Sequence, residues 1–181
     1  MSKNVMVIGT GTIGEPLIGL LAEHKDALGL EEILFFKRTP LSDEKGKVEA
    51  LLRKGAKIVS TSDVISDFKK LGFSDIEDVE KAYKDAGVII DCTPSGNENW
   101  ENIYSTLDQS KRFMAQGSEH GFGPFFAWGI NNDVLENESN KYLIASCNTH
   151  NIASIIKTFA LDQSRELVEG QFVCLRRAND V

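Results

Sequence analysis

A valine-rich apolar run from Asn4 to Ile8 is followed at once by GTGTIG, and then by Ile13, Leu17, Ile18, Leu21 and Leu28 at helical spacing. Strand, glycine turn and helix in immediate succession constrain this chain more than any other feature. Gly9, Gly11 and Gly14 make a GxGxxG, with Thr10, Thr12 and Ile13 between them. The first glycine permits the tight turn, the second lets backbone approach a pyrophosphate, and the third lets helix and strand pack closely. Free N–H groups and the helix dipole hold the anion, and Pro16 falls in the first turn, where its missing N–H does no harm. The alternative, a tight βα turn with no ligand, needs only the glycines; the surrounding strand and amphipathic helix favour a dinucleotide site.

The alternation continues along the chain. Ile33 to Phe36 is a second apolar run ending in KRTP, whose proline suits a strand leaving the sheet edge. Asp43 to Lys54 reads as a helix ended by Gly55, Ala56 to Val59 as a short strand, and Asp63 to Lys70 as a helix stopped by Gly72. Ser74 followed by Glu77 is a capping-box pattern and predicts a helix through Ala86. Val88 to Cys92 is a buried strand interrupted only by Asp91; turn residues TPSGN and a helical stretch with Trp100 and Tyr104 follow. Arg112 to Ala115 and Tyr142 to Ala145 supply further strands. Strands alternating with helices imply parallel pairing and right-handed crossovers, hence an α/β, Rossmann-like, doubly wound parallel sheet over residues 1–145. Residues 146–181, with a helix from Ala153 to Leu161 and a strand from Gln171 to Leu175, read as the opening of a second domain.

An NAD site ordinarily carries an acidic residue at the end of the second strand, where it bonds the ribose 2′-hydroxyl. Here that place holds Lys37, Arg38 and Thr39. Two cations and a hydroxyl suit a 2′-phosphate, which predicts NADP as the preferred or at least accepted cofactor. Solvated loop charges without a ligand are the alternative.

Other partners are disfavoured by composition. A net charge of −7 across 181 residues argues against a sequence-independent grip on nucleic acid or an anionic membrane, since both need clustered Lys and Arg. No apolar run approaches the length of a membrane span, and the N-terminus enters a strand rather than a signal sequence, so a cytoplasmic protein with a small-molecule partner is expected. Nothing in the sequence calls for a metal.

Cys92, Cys147 and Cys174 are too few and too scattered for a disulfide scaffold. Cys92 and Cys174 fall inside apolar strand runs and read as small buried hydrophobes. Cys147 lies in YLIASCNTHNIASIIKTF, where an apolar strand meets a helix. A thiol there has its thiolate stabilised by free N–H groups and the dipole, as an aldehyde-attacking nucleophile requires. On spacing alone the buried-hydrophobe and nucleophile readings stand level.

Several strings taken together resemble a known family. SCNTHN looks like the active-site segment SCNTTG of archaeal-type glyceraldehyde-3-phosphate dehydrogenases, and GTGTIG, KRTP, DCTPSG, AQGSEH and LRRAND are similar to that family's segments in the same order. The resemblance covers essentially the whole chain but corresponds to about the first half of a family member, so a fragment ending inside a truncated α+β catalytic domain is expected. It implies that Cys147 is the nucleophile and that Ser146, Asn148 and Thr149 cradle the substrate. Thr12, Ile13 and Gly117 would touch the dinucleotide together with Thr93 and Pro94 of DCTPSG, while Arg176 and Arg177 match paired arginines that meet a phosphate. The sequence departs from the family at His150, Asn151, Ser118 and His120.

The chemistry so implied is addition of the Cys147 thiolate to a phosphorylated aldehyde, hydride transfer to NADP or NAD, and cleavage of the thioester by inorganic phosphate. The base is ordinarily a histidine, which in this family lies further downstream. His24 sits among charged residues and His120 follows a glycine-rich loop, whereas His150 could share a helical face with Cys147. Little turnover is therefore expected from the chain alone, and a homo-oligomer, a tetramer by resemblance, is implied. Two rivals remain: a semialdehyde or acyl-phosphate reductase of related architecture, and a non-catalytic NADP-binding module.

Overall fold

The computed structural model describes residues 2–116, 119–161 and 167–175. Strands β1 (Val5–Ile8), β2 (Ile33–Phe36), β3 (Lys57–Ser60), β4 (Ile76–Asp78), β5 (Val88–Asp91), β6 (Arg112–Gln116), β7 (Phe125–Phe126) and β8 (Lys141–Ile144) form one sheet. Its order is β4-β3-β2-β1-β5-β6-β8-β7, and every neighbouring pair is parallel. Helices α1 (Gly14–His24), α2 (Lys45–Arg53), α3 (Ile65–Lys70), α4 (Val79–Asp85) and α5 (Gly96–Asn102) provide crossovers, and α6 (Cys147–Ile156) comes after the last strand. The expected doubly wound, Rossmann-like α/β fold is present.

Alternation along the strands divides the core. Val5, Val7, Ile33, Phe35 and Ile58 point to one face, where they pack with Ile18, Ala22, Val48, Leu51 and Phe68 of α1, α2 and α3. Met6, Ile8, Leu34, Ile89 and Phe113 point to the other, against Val79, Ala82 and Tyr83 of α4 and against Tyr104 and Phe122. With both faces covered, the central strands β1 and β2 are apolar throughout, and each fully buried large side chain contributes about 1.5–3 kcal/mol. Trp100 of α5 stands edge-on to Phe113 and Phe122, and the Lys141 ammonium lies 4.1 Å from the centre of its ring. The buried Lys111 closes α4 by donating to the carbonyls of Lys84 and Ala86 at 2.9 and 2.6 Å.

Four local expectations are corrected. The helix predicted from Ser74 and Glu77 starts later: Ile76, Glu77 and Asp78 pair with Ile58, Val59 and Ser60 of β3, and Asp78 caps α4 by accepting from the Glu80 N–H at 2.9 Å. Pairing with an existing sheet satisfies backbone that a capping box would have left to the helix. The KRTP strand is interior rather than at an edge, since β2 lies between β1 and β3. Gln171 to Leu175 is not a strand; the segment is exposed and, among the described residues, has no sheet neighbour to supply its hydrogen bonds. Tyr104 lies beyond α5, in a 3₁₀ turn, Tyr104–Thr106, which lets it reach back under the sheet's end. Strand β7 was not foreseen from its two phenylalanines; the amides of Leu143 in β8 and of Ala145 just past it draw it into the sheet by donating to the Pro124 and Phe126 carbonyls.

Candidate functional site

From β1 the chain winds outward through β2, β3 and β4, then returns to place β5 on the other side of β1. Crossovers diverge at that point and open a crevice beyond the carboxyl ends of the strands. A cleft of ≈ 930 Å³ occupies it, with Gly9 and Thr10 on its floor, Lys37, Arg38 and Thr39 on one wall, and Thr93, Pro94 and Ser95 on the other.

Each glycine of the turn meets a different constraint. Gly9 has φ +93°, a left-handed conformation that glycine adopts without strain. At Gly14 an added Cβ would lie 1.9 Å from the Gly9 carbonyl oxygen, so the helix approaches the turn more closely than any side chain allows. A Cβ on Gly11 would meet nothing within 4 Å, which leaves open the position where a pyrophosphate would approach. Helix α1 begins after Ile13 without a side-chain cap; the Glu15 N–H already donates to the Gly11 carbonyl at 3.0 Å and Pro16 has none, so the Gly14 N–H is the one in the first turn left for an anion. These features fit a dinucleotide.

The wall after β2 is set by backbone. The Lys37 N–H donates to the Val59 carbonyl at 2.9 Å, and the fully buried Ser60 hydroxyl donates to the Lys37 carbonyl at 2.7 Å. Arg38 and Thr39 are exposed at the cleft, and among the described residues Arg38 pairs with no carboxylate. Lys37 corrects the expectation of two free cations: its ammonium is bonded to the Glu44 carboxylate.

Across the cleft, Asp91 is fully buried at the end of β5 and accepts four hydrogen bonds. The Thr93 N–H and hydroxyl reach one oxygen at 2.8 and 2.6 Å, while Asn99 Nδ2 and the Tyr104 hydroxyl reach the other, each at 2.7 Å. A buried carboxylate needs this complement of donors, and here they tie the Thr93–Pro94 turn to α5. Burial, with the Asp91 charge nearby, pushes the Tyr83 phenol up to about 12 and raises that of Tyr104. The same causes push the Cys92 thiol up to about 12. Cys92 is half-buried just past β5 and accepts from Gln116 Nε2 at 3.3 Å, so its expected place inside a strand is corrected to the turn beyond β5. Glu119 accepts from the Asn97 N–H at 2.7 Å and so closes the start of α5.

Cys147 lies on the same carboxyl edge, past β8, as the first residue of α6, and it is exposed. In sheet order it is three strands from β1, or about 14 Å along the edge at ordinary strand spacing. Ser146 caps the helix: its hydroxyl accepts from the Thr149 N–H at 3.3 Å and lies 2.9 Å from the Thr149 hydroxyl. These two side chains hold the turn that presents Cys147 and Asn148. His150 shares α6 with Cys147, as its spacing suggested, but its Nε2 is 3.0 Å from the Trp128 carbonyl, which leaves Nδ1 as the free ring nitrogen. Cys174, expected inside a strand, is exposed in the irregular segment near the end.

The chain resembles the N-terminal part of archaeal glyceraldehyde-3-phosphate dehydrogenases. It is 30% identical to the enzyme of Sulfolobus acidocaldarius over 180 residues, 97% of this chain and 49% of that one. It is 29% identical to that of Pyrobaculum calidifontis over 161 residues, 87% of this chain and 44% of that one. The Methanobrevibacter smithii dehydrogenase is 24% identical over 184 residues, 98% of this chain and 51% of that one. The chain thus spans about half the length of the curated relatives it matches. No family model matches it. Among solved structures, glucose dehydrogenase from Haloferax mediterranei aligns over 86% of this chain and 40% of its own, with 17% identity and a TM-score of 0.44.

Of the site residues expected from the sequence, Gly9, Thr10, Lys37, Arg38, Thr39, Thr93 and Pro94 are brought together around the cleft. Gly11, Thr12, Ile13 and Gly14 continue from its floor into α1, with Ile13 half exposed. Ser146, Cys147, Asn148 and Thr149 form a separate group at α6. Gly117, Arg176 and Arg177 lie outside the described residues. Sequence reasoning passed over Asp91, Glu119 and Glu44. Asp91 left a usable signal, an acid in an otherwise apolar strand with threonine two residues on; the partners of Glu119 and Glu44 are set by the fold.

Proposed function

We propose that this chain is the nucleotide-binding part of a phosphorylating glyceraldehyde-3-phosphate dehydrogenase, with residues 1–145 holding NADP or NAD and residues 146–181 opening the catalytic domain. One observation carries the reading: a glycine-floored cleft at the point where the strand order reverses shares the carboxyl edge of an all-parallel sheet with a helix-initiating cysteine. The backbone from Gly9 to Gly14 would hold the pyrophosphate, and Arg38 and Thr39 would hold the adenosine 2′ position. The nicotinamide, when bound, supplies the hydride acceptor.

The chain's own chemistry begins at Cys147. The exposed thiol stands at the first residue of α6, open to an incoming substrate, and attacks the aldehyde carbon as the thiolate. Asn148, with Ser146 and Thr149 holding the turn, orients the substrate. Attack leaves a thiohemiacetal on Cys147; loss of its hydride to the nicotinamide and of its hydroxyl proton to a base would give the thioester, which inorganic phosphate cleaves to release an acyl phosphate and the thiolate.

The test is the rate of reduced-nicotinamide formation from glyceraldehyde-3-phosphate and NADP, with and without phosphate, in the natural gene product and its Cys147→Ser variant. A phosphate-dependent rate abolished by the substitution is expected. Turnover of an amino-acid semialdehyde instead would move the assignment to a reductase of related architecture. Nucleotide binding without turnover would favour a non-catalytic module, a reading to which the engagement of His150 by the Trp128 carbonyl lends support.

A further inference from the structure

Resting on the nucleotide reading of the cleft, the geometry points to Glu44 as the residue that sets the preference between NADP and NAD. Glu44 occupies the N-cap position of α2, yet its carboxylate caps nothing there. It is bonded instead to the Lys37 ammonium, with both side chains largely shielded, at 12% exposure for Lys37 and 27% for Glu44. The pair borders a small recess that Thr10 joins to the glycine turn. Val59 and Ser60 anchor the Lys37 N–H and carbonyl, which fixes where its side chain starts, and the Glu44 carboxylate holds the ammonium at the other end.

A ligand with a 2′-phosphate meets two penalties here. Lys37 is already committed to a carboxylate, so a phosphate must compete for it, and the Glu44 charge, in the recess next to the cleft rather than in its lining, repels a dianion from behind Lys37. Arg38, exposed at the cleft mouth, then meets the phosphate with Thr39. A ribose 2′-hydroxyl experiences neither penalty. Glu44 thereby restores part of the NAD tolerance that a Lys-Arg-Thr wall would otherwise remove.

Equilibrium binding of NADP and of NAD to this chain, by calorimetry, tests the assignment in wild type, Glu44→Gln, Lys37→Gln and the double variant, with circular dichroism confirming the fold of each. Glu44→Gln is expected to tighten NADP by about tenfold and leave NAD within about twofold, as one released charge-assisted bond predicts. Lys37→Gln alone should weaken NADP more than NAD, because it leaves the Glu44 charge uncompensated, and in the Glu44→Gln background it should erase the gain, because the cation being released is Lys37. An unchanged NADP-to-NAD ratio in Glu44→Gln, with both nucleotides still bound, would overturn this role while leaving the cleft's assignment standing. A wild-type chain that takes neither nucleotide would overturn both.

Discussion

Replacing Gly14 by alanine places a methyl group 1.9 Å from the Gly9 carbonyl oxygen and 2.9 Å from its carbon, with the Cys92 Cβ at 3.3 Å. Cβ atoms do not approach other atoms closer than 3.0 Å, so something must move by about an ångström. The obstacle is backbone, and of a turn that glycine's left-handed conformation already defines, rather than the end of a flexible side chain. Overpacking costs about 1–3 kcal/mol, and an unyielding neighbour puts this case at the upper end, about 3 kcal/mol. For a domain of this size that is a fall in Tm of about 6–12 °C. Gly11→Ala is the matched control, since its Cβ meets nothing within 4 Å. It should keep stability within about 0.5 kcal/mol of wild type yet weaken nucleotide binding at least about tenfold, because the methyl occupies the pyrophosphate's approach. Thermal and urea unfolding followed by circular dichroism, with calorimetric titration of NADP, measures both. Equal stability of the two variants would refute the division of roles between the glycines.

Asp91→Asn removes the charge that four donors share and puts an amide nitrogen where one oxygen was, which Tyr104 or a flipped Asn99 can meet only by ceasing to donate there; a loss of about 2 kcal/mol in urea unfolding is expected. A result under about 1 kcal/mol would show that the carboxylate is dispensable to the turn. Iodoacetamide at pH 8 should label the exposed Cys147 and Cys174 well before Cys92, whose thiol, pushed up to about 12, is thiolate in on the order of one molecule in 10,000; mass spectrometry showing equal rates would contradict this. Stability should fall on the alkaline side. Tyr83 is raised from 10.0 to about 12 in the folded chain, so its contribution is complete below pH 10 and is lost as pH climbs through 12. Tyr83→Phe should flatten that part of a urea-midpoint profile, and an unaltered slope would remove Tyr83 as its source.

Local chemistry in the sequence was enough to determine the strand, glycine turn and helix at the N-terminus, the parallel sheet, and the start of a helix at Cys147. In each case neighbouring residues carry the information: the Gly9-to-Gly14 spacing, apolar runs matched to strand or helix period, and the junction of an apolar strand with a helical stretch at Cys147. Tertiary structure decided what depends on partners remote in sequence. Ile76 to Asp78 became a strand because β3 offered an edge, whereas Gln171 to Leu175 did not because no described edge was there to meet it. The same holds at the candidate site. Lys37 reads as a free cation until α2 brings Glu44 against it, and Asp91 reads as an interruption until Thr93, Asn99 and Tyr104 converge on it. Period and spacing are properties of a segment, but pairing a charge or satisfying a buried carboxylate requires groups that only the folded chain brings within hydrogen-bond distance.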